Sequence, residues 1–177
     1  MAKKENSASW NIRTILLAVI AGLLLVTLIF KNFKGSVDGV ALYQEYFQKY
    51  PLNLSKDAAN PNNRIYTAET AYNEGKYDIA LPILESFIRT QGNVRGKLGL
   101  GAACCLLETG KDAEAIAHLD QVMENGLGGE KTQAKWYKAL ALLRQNKVEP
   151  AKELVRQLSV DIYAVHHEQA KELIKKL

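Results

Sequence analysis

The sequence predicts an all-α chain: one N-terminal apolar helix, a stack of about three helical hairpins, and a C-terminal capping helix. Three observations predict it. A tight turn recurs at Asn73 to Tyr77, Glu108 to Asp112 and Arg144 to Val148, with spacings of 35 and 36 residues. Alanines recur at the same spacings on both sides of it, as Ala68, Ala103 and Ala139 before the turn and Ala80, Ala115 and Ala151 after it. Ahead of these lie seventeen residues without a charge, Thr14 to Phe30.

As a helix that run rises about 25 Å against a hydrocarbon layer of about 30 Å. Arg13, Lys31 and Lys34 are placed to snorkel and close the gap, and Trp10 and Phe33 suit an interface. The run is long for a cleaved leader and ends on Lys31, not on a small-x-small site. The expected order is therefore a basic tail at 1–13, a transmembrane anchor at 14–30, and a juxtamembrane amphipathic segment and linker at 31–60. Three bases precede the span and two follow closely, which favours a cytoplasmic N-terminus slightly.

Charge narrows the function. Residues 1–34 hold five bases and one acid, whereas the remainder holds 18 of each. A neutral folded part lacks the footprint of a nucleic-acid binder.

Each hairpin follows from close helix contact. Alanine removes the bulk that would hold two backbones apart, and Gly75, Gly110 and Asn146 supply the residue most able to take positive φ where one helix ends. A lone hairpin cannot bury its apolar face, so stacking is required. The expected repeats are 61–95, 96–130 and 131–165, closed by a capping helix at 166–177. Val40 to Tyr50 reads as a short amphipathic helix and Pro51 to Asn63 as a linker. Pro82 is expected to kink its helix or shift its start, while Pro150 falls near a first turn, where it is tolerated.

Catalytic and cofactor chemistry is not legible. GLGGEKT ends in Lys131 and Thr132, but Glu130 and Asn125 stand where a phosphate loop needs glycines. His166 and His167 are adjacent and point about 100° apart on a helix, so they read as a solvated face and not as a metal pair. Cys104 and Cys105 read as small buried residues at a helix crossing. No cofactor, metal or small-molecule substrate is expected, and no enzyme activity.

The paired alanines, the Gly-Lys turns and the stretch AYNEGKYDIALPILESF resemble the tetratricopeptide repeat family over roughly 61–165. Asp112 and Val148 depart from it where Tyr77 matches, and Arg64 and Gly99 stand where a tryptophan is common. The order of segments is also similar to single-pass tetratricopeptide proteins of Bacteroidota-type bacteria and to periplasmic repeat proteins that accompany the secretion translocon. The resemblance implies a right-handed α-solenoid, in the inner membrane, with its repeats in the periplasm. It further implies that the first helix of each hairpin lines a groove for a protein partner, an extended peptide or a helix. Carried over, the groove comprises Asn62, Ile65, Glu69, Tyr72 and Asn73; Lys97, Leu100, Cys104, Leu107 and Glu108; and Gln133, Trp136, Leu140, Leu143 and Arg144. The expected function is a membrane-anchored, non-catalytic scaffold. The alternatives are a chaperone-like subunit of a secretion or membrane-assembly complex and a transmembrane signalling component.

Overall fold

The structure is a computed structural model that describes residues 15–17, 19–23, 37–54, 64–90 and 95–177. The chain divides into two units, 1–36 and 37–177. In the first, residues 15–17 and 19–23 are helical with exposed side chains. The expected span at 14–30 lies partly outside the described residues, and no helix among the described residues is long and apolar enough to cross a membrane.

The second unit is all helical, with no strand among its described residues. Its helices are α1 (Gly39–Tyr46), α2 (Arg64–Asn73), α3 (Tyr77–Thr90), α4 (Arg95–Glu108), α5 (Asp112–Asn125), α6 (Gly128–Arg144), α7 (Val148–Val160) and α8 (His167–Ile174). From α2 onward each helix packs on the next, α4 also meets α6, and α1 packs on α6. Thus α2–α3, α4–α5 and α6–α7 are three successive hairpins.

The three turns are built alike. Gly75 and Gly110 have φ of 77° and Asn146 has 56°. In each, two amides turn back onto the end of the preceding helix. Gly75, Gly110 and Asn146 N–H donate to the carbonyls of Tyr72, Leu107 and Leu143, and Lys76, Lys111 and Lys147 N–H to those of Ala71, Leu106 and Leu142. This paired pattern satisfies carbonyls that a helix end would leave orphaned. The next helix begins on the same lysines, whose carbonyls accept from Ala80, Ala115 and Ala151 N–H.

All six recurring alanines have no exposure, and neither do Leu84, Leu119 and Val155, one in each second helix. Pro82 is the sixth residue of α3, where it removes the amide that would bond the Asp78 carbonyl, yet the helix continues to Thr90. Pro150 is third in α7, and its missing N–H costs no helical bond. The end of the stack is covered by α8, which buries Ala170 and Leu173, while Lys152 Nζ donates to the Leu177 carbonyl at 2.8 Å.

Because a side chain in the left-handed region costs about 1–2 kcal/mol, Gly110→Ala is predicted to destabilise the protein by about that amount. Asn146→Gly, which relieves the same conformation, is predicted to leave stability unchanged or raise it by a few tenths. Urea-unfolding midpoints of both variants against the native chain decide this.

Candidate functional site

The inner face formed by α2, α4 and α6 is not open. Residues 37–54 lie across it as a strap that begins on the third hairpin and ends on the first. Helix α1 starts where the Asp38 carboxylate caps the Ala41 amide at 3.0 Å. It is shorter than the helix expected over Val40 to Tyr50, because from Phe47 the backbone is extended. Gly39 lies so close to α6 that a Cβ there would drive into the Leu143 carbonyl oxygen. Leu42, Tyr43, Tyr50 and Leu52 are buried, each worth about 1.5–3 kcal/mol of apolar transfer.

Along the strap the contacts follow in order. Tyr43 lies under the Arg144 guanidinium, 4.2 Å from ring centre to Cζ. Tyr46 meets Trp136 edge to face and Phe47 meets Tyr137 in the same way, both at 6.1 Å. Tyr137 Oη donates to the Gln48 carbonyl at 2.9 Å and Tyr72 Oη to the Tyr50 carbonyl at 2.7 Å. The Leu54 amide donates to Glu69 Oε2 at 2.9 Å. Leu52 occupies the space left by Gly101, where a Cβ would stand 3.0 Å from Leu52 Cδ1. The array thus holds main-chain atoms of residues 48, 50 and 54 with side chains of its own. Burial raises the pKa of Tyr72 and Tyr137 well above the usual phenol range, so both hydroxyls remain donors at ordinary pH.

The residues expected to line the groove fall into three groups. Tyr72, Leu100, Cys104, Leu107, Trp136, Leu140 and Leu143 are buried. Ile65, Glu69, Gln133 and Arg144 are half-buried, and Asn73, Lys97 and Glu108 are exposed. Asn62 lies outside the described residues. The sequence reading missed the occupant. Its signal was four aromatic residues within eight, Tyr43, Tyr46, Phe47 and Tyr50, a density a solvated linker does not need.

Arg144 ties three elements together. Its Nε donates to Asp112 Oδ2 at 2.9 Å, its Nη2 donates to the Leu107 carbonyl at 2.9 Å and to Asp112 Oδ1, and its face covers Tyr43. Asp112, at the position of the first repeat's Tyr77, fills this pairing role. As the first residue of α5 its charge also suits the helix dipole.

His166 is a correction to the expected solvated pair. Its ring stacks on Trp136 at 4.9 Å and 15°, meets Tyr137 edge-on at 6.1 Å, and has a buried Nδ1 without a hydrogen-bond partner. Burial pulls its pKa down to about 4. His167 Nδ1 lies 3.3 Å from the Leu158 carbonyl. Cys104 and Cys105 are buried free thiols, each pushed up to about 12 by burial; the Tyr50 backbone and the Tyr72 hydroxyl bond Cys104 and act the other way. Among the described residues no group of three or more potential metal ligands comes together.

No protein-family profile matches the chain, and neither a curated protein nor a solved structure is significantly similar to it.

Two predictions follow from this geometry. Tyr72→Phe and Tyr137→Phe keep the rings but leave a strap carbonyl without its donor, at a cost of about 1–2 kcal/mol each. Hydrogen exchange is expected to accelerate at residues 47–54 more than in the α4–α5 hairpin. For His166, the unfolded ring protonates near 6.5 and the folded ring near 4, so the unfolded state takes up the proton first as pH falls. This contribution is complete above pH 6.5 and is lost progressively towards pH 4, by up to about 2–3 kcal/mol. His166→Phe, which preserves the stack, should lose less stability than the native chain over that window in denaturant titrations.

Proposed function

We propose that the protein is a membrane-anchored, non-catalytic scaffold of the tetratricopeptide type, whose inner helical face binds a segment of a partner protein. The observation that carries this reading is the strap itself. Side chains of α2 and α6 hold a peptide by its carbonyls and amide while apolar seats take its side chains, which is the division of labour in extended-peptide recognition. The apolar run with its basic flanks supports a single span at 14–30 and slightly favours a cytoplasmic N-terminus, and the resemblance to anchored tetratricopeptide proteins supports a bacterial inner membrane with periplasmic repeats. Tethering to a membrane raises the effective concentration of the array for membrane partners, so modest contacts suffice.

The test is photo-crosslinking in membranes from Lys97 and Glu108, which are exposed beside the covered face. Purification in mild detergent follows. One protein recovered in stoichiometric yield is the expected result. A heterogeneous set of unfolded clients would replace the scaffold by a chaperone, and recovery of no protein from either position would remove the reading.

A further inference from the structure

The strap's contacts divide into those that any peptide would make and those that select. The hydroxyls of Tyr72 and Tyr137 and the Glu69 carboxylate bond main-chain atoms of the strap. Over residues 49–54, selection lies in two seats built from the repeats. The first receives the Lys49 ammonium, which donates to the Tyr72 carbonyl at 3.1 Å and the Asn73 carbonyl at 3.4 Å, at the C-terminal end of α2. Two aromatic faces complete it, Tyr72 at 4.9 Å and Tyr77 at 5.8 Å from Nζ to ring centre. Helix-end carbonyls with aromatic rings form a site for a cation. The second is the Gly101 floor beneath Leu52.

Four large side chains are buried across residues 37–54 and Val37, Tyr46, Phe47 and Leu54 pack half-buried against the core, whereas Gln44, Glu45, Gln48, Pro51 and Asn53 are exposed. Each ordered residue loses backbone freedom on docking, which offsets part of what these contacts contribute. A segment of matching chemistry competes on those terms.

Resting on the protein-binding reading above, we propose that residues 37–54 are an intramolecular stand-in for the partner. The partner segment that displaces them carries a lysine or arginine followed by an aromatic residue, with an aliphatic residue two places beyond it, the pattern of Lys49, Tyr50 and Leu52. The array is closed to such partners until one outcompetes its own strap.

The experiment uses the full chain in detergent micelles and a fluorescent synthetic peptide of residues 41–54, with binding read by anisotropy. Lys49→Ala empties the cation seat in the strap and leaves the array intact. Gly39→Ala drives the start of α1 off Leu143 and touches neither seat; circular dichroism identifies which variant retains its helices. The peptide is expected to bind the helical variant at least about tenfold more tightly than the native chain, and a peptide carrying Lys49→Ala about tenfold more weakly than the original. Equal affinity for native and variant chains overturns the proposal, as does binding indifferent to the peptide's lysine. Peptide exchange in a chain that crosslinks to no protein in membranes supports the stand-in and sinks the scaffold. Crosslinking to one partner by a chain whose strap does not exchange does the reverse.

Discussion

The close approach of paired helices at six alanines governs the rest of the molecule. With no side-chain bulk at Ala68 and Ala80, Ala103 and Ala115, or Ala139 and Ala151, the two helices of each hairpin lie near enough for Leu84, Leu119 and Val155 to be fully enclosed. The turn geometry acts jointly with that contact. A left-handed residue and two backward-pointing amides set where each first helix stops, and the lysine that follows starts the second. Repetition of this unit brings α2, α4 and α6 to one face, and that face can then hold a length of chain.

What lies on the face changes its character. A bare row of Leu100, Trp136 and Leu140 would present apolar surface to water, whereas here these side chains are sealed. Arg144 shows how closely the sealing is joined to the repeats. The guanidinium that pairs Asp112 at the start of α5 also caps Tyr43 of the strap, so the second hairpin, the third hairpin and the strap share one charged junction. Trp136 has a similar place between Tyr46 on one side and His166 on the other.

Local rules made the hairpins readable before any coordinates. Positive φ at Gly75, Gly110 and Asn146, burial of the six alanines and tolerance of Pro150 depend on residues close in sequence, and each appears as expected. At Pro82 the helix continues, so α3 runs from Tyr77 to Thr90 through the proline. The strap was not legible from local rules. Its helical turn ends at Tyr46, where main-chain bonding passes to Tyr137 and Tyr72, residues 89 and 22 positions away from their partners. His166 was misjudged likewise, since its polarity suggested solvent while its stacking partner lies on α6. The groove positions came from the family resemblance, and whether each one faced water depended on a segment with no repeat of its own.

The direction of the strap has a bearing on how the molecule is made. Its residues leave the ribosome before the repeats, but Gly39 and Phe47 rest on α6, which is synthesised some ninety residues afterwards, and Glu45 pairs with Lys176. Hairpins assembled from neighbours in sequence form early, whereas contacts of such long separation form late. The first part of the strap therefore docks only once the third hairpin is present, and a chain cut before that hairpin leaves Tyr43, Tyr46 and Phe47 without Arg144, Trp136 and Tyr137 to cover them.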